Sequence, residues 1–243
     1  MNHQNCESNG RLRLRSERGS SVYSFLGYAV LAVLVVVTLF VFPWGQLMGP
    51  KTSADVAAGN DAIAKKQFDK AIVLFDKALK ADPNDVAALV GRSRAFLQMG
   101  DVAKALTDAN AAIQKSPNVA SAFGQRGIIF KIKQQNPEAI KDFSKAIELD
   151  GNYAWAYAQR ADLYSRAQEN DKALKDIDKA LKAKPNFVEA LRLRAWVLSR
   201  MGKCKEASDD FQKVAKLSPN DAWSIQDTAW FLLTCPDEKL QDA

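Results

Sequence analysis

The stretch FDKALKADPND at 75–85 nearly returns 102 residues later as IDKALKAKPNF at 177–187, a distance of three times 34. Pro83, Pro117, Pro185 and Pro219 keep the same step, and Gly151 stands at the one position the series leaves open. A fixed period of this length constrains a chain more than any local propensity. It demands a stack of like supersecondary units, each burying its apolar face against the next. With the proline placed at slot 32, units start at Thr52, Val86, Ala120, Ala154 and Val188, and a partial sixth starts at Ala222.

Within this frame the slots fill alike. Slot 20 holds Ala71, Ala105, Ala139, Ala173 and Ala207, small enough to let two helices approach. Slot 24 holds Phe75, Ala109, Phe143, Ile177 and Phe211, and slot 27 holds Ala78, Ala112, Ala146, Ala180 and Val214. Slot 8 is also small, with Gly59, Ser93, Gly127, Ala161 and Ala195. Slots 20, 24 and 27 share one face of a helix at 3.6 residues per turn, so each unit reads as two antiparallel helices. Between them fall MGD at 99–101, QNP at 135–137 and END at 169–171. Asn136 is expected to cap a helix that begins at Pro137, and the residue at slot 32 is expected to end the second helix.

With Phe96, Phe130 and Tyr164 at slot 11, the pattern resembles the tetratricopeptide repeat (TPR) family over about four fifths of the chain. It departs from that pattern at Ala62 and Leu198 in slot 11 and at Gly151. The resemblance implies an all-α fold, a right-handed superhelical solenoid of antiparallel helix pairs. Its units would be 52–85, 86–119, 120–153, 154–187 and 188–221, with 222–243 as a partial sixth unit or capping helix. The resemblance also implies peptide or protein binding in a concave groove lined by first-helix slots 2, 5, 9, 12 and 13. Those slots hold Arg94, Gln98, Lys131, Trp155, Asp162, Arg166, Arg192, Trp196, Arg200, Trp223, Gln226 and Trp230. Four of the five tryptophans are in this set, and tryptophan with arginine dominates interface energetics, which favours the carboxyl-terminal half of the groove. Each tryptophan can equally pack between neighbouring first helices. The two-carboxylate clamp of chaperone-tail-binding relatives is not reproduced, because unit one has Asn60 but Val56 where a lysine is needed. Family geometry further places Cys204 and Cys235 at the same end of adjacent helices, where a disulfide is an expectation.

Before the repeats, residues 22–44 carry no charge and hold fourteen Leu, Val or Phe residues. As a helix this run would span roughly 34 Å, against a bilayer core of ~30 Å. Its strong apolar residues favour insertion by roughly 4–8 kcal/mol. Tyr23, Tyr28 and Trp44 stand where interfacial anchors would, and no small-x-small cleavage site follows promptly. The chain therefore reads as a basic tail (1–21), an uncleaved signal-anchor helix (22–44) and a linker (45–51) ahead of the array. Arg11, Arg13, Arg15 and Arg18 keep the amino terminus in the cytoplasm and send the repeats outward, most naturally across a bacterial cytoplasmic membrane.

Composition narrows the function. The 34 basic and 28 acidic residues become 29 and 26 when residues 1–51, with five and two, are set aside. So balanced an array is no device for polyanions, and no nucleic acid is expected as partner. The single histidine, His3, lies in the tail, and neither a CxxC motif nor a P-loop occurs. Asp209 and Asp210 read as solvated surface. No enzymatic activity, metal or cofactor is expected. The expectation is a membrane-anchored TPR scaffold or adaptor that binds a protein or peptide in its groove. Two other readings stay open: an extracytoplasmic assembly or quality-control factor for unfolded or translocating chains, and an organelle receptor facing the cytosol. Apolar Trp223, Ile225, Trp230, Phe231, Leu232 and Leu233 near the end leave room for self-association through the carboxyl-terminal edge.

Overall fold

Five times over, a helix of 11–13 residues is followed by one of 14. The computed structural model describes residues 54–222, 226–227 and 229–231. The pairs are α1 (Ala54–Ala64) with α2 (Phe68–Ala81), and α3 (Val86–Gln98) with α4 (Val102–Lys115). Next come α5 (Ala120–Ile132) with α6 (Asn136–Leu149), α7 (Ala154–Arg166) with α8 (Asn170–Ala183), and α9 (Val188–Arg200) with α10 (Cys204–Leu217). Residues 222, 226–227 and 229–231 are also helical, and no strand occurs among the described residues. The architecture is an all-helical solenoid of paired helices. Among the described residues no helix is long and apolar enough to cross a membrane. The anchor expected at 22–44 lies outside them.

Burial follows the slots. Every residue of slots 20, 24 and 27 is at most 2% exposed, so the repeated small and apolar positions are the core. Volume is traded across each helix pair. Phe75 fills the space that Gly59 and Gly91 leave, and a Cβ at either glycine would sit 2.7 or 2.4 Å from its ring. Phe143 stands likewise over Gly127, at 2.8 Å. In the second pair slot 24 shrinks to Ala109 and slot 8 is Ser93, whose hydroxyl donates to the Ala105 carbonyl at 2.7 Å. A buried phenylalanine contributes roughly 1.5–3 kcal/mol by removal from water, so these contacts are a main source of stability.

A second periodic system, polar this time, runs through the same pairs. Arg92, Arg126, Arg160 and Arg194 occupy slot 7 of units two to five. Each grips the slot-23 aspartate of its own unit through Nε and Nη2: Asp108, Asp142, Asp176 and Asp210 respectively, at 2.7–2.9 Å. The remaining Nη1 reaches back one unit to slot 25: Asp76 at 2.6 Å, Asn110 at 3.0 Å, Ser144 at 2.8 Å and Asp178 at 3.1 Å. One guanidinium thus ties three helices together, in four successive places. The slot-11 aromatics belong to this device, since Phe96, Phe130 and Tyr164 lie 5.7–5.9 Å from the arginines, and Phe123 and Tyr157 add a second ring in units three and four. Hydrogen bonds donated to the aspartates raise all four guanidinium pKa values, against the opposing effect of burial. Asp210 is consequently 5% exposed, which corrects its reading as solvated surface; Asp209 is exposed as expected.

The connections obey two rules. Within each pair the residue at slot 15 adopts the left-handed conformation: Lys66, Gly100, Gln134, Gln168 and Gly202, with φ between 58° and 83°. Each second helix ends two residues before slot 32, and the residue between turns to a φ near −140°, as Asp82 does before Pro83. Asp150 has nearly the same φ although Gly151 follows it, so the proline ring is not what imposes this bend. Asn136 does not act as a cap. It is the first residue of α6, the cap position is Gln135 without a side-chain hydrogen bond, and true side-chain caps occur at Asp85 and Asp101.

The left-handed conformation costs a residue with a Cβ about 1–2 kcal/mol. Gln134→Gly and Gln168→Gly are each expected to raise unfolding free energy by about 1 kcal/mol, and Gly202→Gln to lower it similarly. Equilibrium urea denaturation measures this, and a loss of stability in the two glycine variants would contradict the account.

Candidate functional site

The first helices α1, α3, α5, α7 and α9 carry the slots expected to line a groove. Neighbours pack along one another, except that α5 and α7 approach less closely than the other pairs. Tyr153 and Trp155, at the start of α7, lie over Gly124 of α5, where a Cβ would meet the Trp155 ring at 3.1 Å and the Tyr153 hydroxyl at 3.3 Å. Beside them opens a pocket of about 480 Å³, lined by Arg94, Leu97 and Gln98 of α3, Ser121, Gln125 and Ile128 of α5, and Tyr153 and Trp155. The Trp155 ring also packs edge-on against Phe143 at 6.0 Å and tilted against Tyr153 at 5.7 Å. These contacts fix its orientation while one face borders the pocket.

The charged groove residues divide into two groups. Lys131 of α5 reaches across to α7, donating to Gln159 at 2.8 Å and pairing with Asp162 at 2.7 Å, while Arg166 pairs with the same carboxylate at 2.9 Å. Arg192 lies 3.8 Å from both Asp221 and Asp227, and Arg200 donates to Ser165 and Asn170. These groups of the carboxyl-terminal half are engaged with one another. Arg94 and Gln98 are exposed, and Arg94 forms no ion pair among the described residues. The Arg94 charge is felt by Tyr153, whose hydroxyl is pushed above the usual phenol range by burial, with Arg94 opposing that shift.

The tryptophans divide in the same way. Trp196 stands edge-on to Phe211 at 5.7 Å and 4.9 Å from Trp230, packed where α9 meets the helical residues that follow α10. Phe231 lies 4.9 Å from Phe211, and Trp230 is half-exposed. Gln226 is exposed. Trp223 lies outside the described residues. Cys204 opens α10 and takes part in a disulfide. Its expected partner Cys235 lies outside the described residues.

Sequence reasoning missed Gln125 and Tyr153, because neither occupies a slot associated with the groove. Gln125 is 6% exposed, and its Nε2 has no hydrogen-bond partner although it lines the pocket. A polar residue at slot 6, where other units carry Ala57, Gly91, Gln159 and Leu193, was a weak signal.

Three family models match the chain: tetratricopeptide repeat over residues 56–120, TPR repeat over 127–168, and the amino-terminal TPR repeats region of Psidin over 164–236. No curated protein sequence matches. Among solved structures the chain is similar to MamA at 27% identity, covering 66% of this chain and 94% of that one with a TM-score of 0.54. It is similar in fold to TTC0263, a thermophilic TPR protein of Thermus thermophilus, at 24% identity and TM-score 0.65, covering 74% and 97%. It shares its fold also with YrrB, a TPR protein with an unusual peptide-binding site, at 17% identity and TM-score 0.51, covering 72% and 90%.

The Asp162 carboxyl is held below the usual carboxylate range. Burial alone would raise it, but hydrogen bonds and charge from Lys131 and then Arg166 outweigh burial. A lowered carboxyl stabilises the fold above its unfolded pKa of about 3.9 and loses that contribution as pH falls through the folded value. The stability difference between the wild type and Lys131→Met is therefore expected to be constant between about pH 5 and 8 and to shrink below about pH 4. An undiminished difference at pH 3 would contradict the pairing.

Proposed function

Since the chain belongs to the tetratricopeptide-repeat family, we propose that it is a membrane-anchored adaptor that binds a protein or peptide along the face formed by its first helices. The observation that carries this reading is the pocket among α3, α5 and α7, where an unpaired cation, amide groups and two aromatic rings converge on one surface. Large amphipathic rings and guanidinium groups are the residues on which interface energy concentrates. The remainder of the groove, held by its own ion pairs, acts as a rigid frame for that contact. A fold of stacked helix pairs supplies surface rather than reacting groups, and the chain acts by binding rather than catalysis.

Anchoring rests on residues 22–44, whose uncharged length suits a bilayer, and on the arginines before them, which direct the amino terminus to the cytoplasm and the array to the outer side. The alternative, an assembly factor for unfolded or translocating chains, would use the same face with less selectivity.

Photocrosslinking in alkali-washed membranes tests the reading. A photoreactive residue at position 98 or 155 is expected to give one discrete protein adduct, and the same probe at 73, an exposed position on a second helix, to give none. A broad smear of adducts would favour the assembly factor. Equal capture from all three positions, or loss of the chain from the washed membranes, would contradict the proposal.

A further inference from the structure

The pocket among α3, α5 and α7 has a definite chemical polarity. Its polar lining includes the Arg94 guanidinium, free of ion pairing among the described residues, and Gln125, whose amide nitrogen is buried just behind the surface without a partner. Its apolar lining, from Leu97, Ile128 and the ring of Trp155, adjoins those donors directly. No carboxylate lines it, whereas the cations farther along the groove, Lys131, Arg166 and Arg192, each face an aspartate of this chain. A buried donor without an acceptor costs free energy until something supplies one. A cation beside it makes an anionic acceptor the best match.

Resting on the groove-binding reading above, we propose that this pocket selects an acidic side chain next to a large apolar one, within an internal stretch of the partner polypeptide. The carboxylate accepts from Arg94 and Gln125, and its apolar neighbour packs between Trp155, Leu97 and Ile128. At about 480 Å³ the pocket is large enough for one such pair of side chains and too small for a helix. This differs from a clamp on a chain terminus built within a single repeat, because the donors come from two successive units and the Trp155 ring from a third.

The test is selection of a randomised peptide library, amidated at the carboxyl end, on the full-length chain in detergent micelles. A parallel library with free carboxyl ends is selected alongside it. On the wild type, internal Asp or Glu adjacent to Phe, Trp or Leu is expected to be enriched on the order of tenfold over the Asn or Gln counterpart, as one charge-assisted hydrogen bond warrants. Arg94→Gln, an exposed change that leaves helicity intact, is expected to abolish the preference for acid while keeping that for apolar residues. Gln125→Glu is expected to reverse it, and Arg94→Lys to retain part of it. No acidic enrichment on the wild type, unchanged enrichment on Arg94→Gln, or enrichment only among free carboxyl ends would each overturn the proposal. A discrete crosslink at position 155 without acidic preference would reject this pocket chemistry while leaving groove binding intact. Absence of both would reject the two together.

Discussion

One guanidinium group holding three helices is the interaction on which this structure depends. Each helix pair buries mostly alanine-sized side chains around a few larger residues, so its core is thin and the setting of the next pair gains from a further constraint. The slot-7 arginines supply that constraint. Each commits two nitrogens to the aspartate of its own unit and the third to an acceptor of the unit before, so hairpin closure and unit stacking share one planar fork. Arginine suits this position where lysine would not, because its donors lie at fixed angles and its faces stack on the slot-4 and slot-11 rings. Unit one has Ala58 and Leu74 at the two slots and joins the series only through Asp76.

The frame so made accounts for what the groove leaves free. Where α5 and α7 draw apart, Lys131 spans the gap to Asp162 and Gln159, and Tyr153 and Trp155 lie across Gly124. Charges in that region answer one another. Where α3 meets α5, Arg94 stands without a counter-ion among the described residues, with a buried amide beside it. A surface internally satisfied over most of its length and unsatisfied at one place is shaped for selective contact there.

Much of the fold was legible because its signal is additive: small or apolar residues at slots 8, 20, 24 and 27 repeat five times, and burial matches them residue by residue. The arginine series was equally periodic in sequence, yet a charged residue taken singly reads as a solvated face, and only alignment of slot 7 with slot 23 reveals a pair. Asp210 was misread for that reason. The left-handed turn residues were half visible, as Gly100 and Gly202 mark a position that Lys66, Gln134 and Gln168 conceal. The pocket was least legible, since it draws on slots 2, 6, 9, 12, 13 and 34 of three units. It also depends on a local separation of helices that no single slot encodes.

The most direct measurement is a double-mutant cycle on Arg160 and Asp176 by equilibrium denaturation, with hydrogen exchange followed across α6, α7 and α8. Removing one partner of a largely buried, bidentate pair strands the other, so Arg160→Met should cost about 3 kcal/mol and loosen all three helices, and adding Asp176→Leu should recover much of that loss. A single variant within a few tenths of a kcal/mol of the wild type, or loosening confined to α7, would contradict the claim that this fork holds the array together.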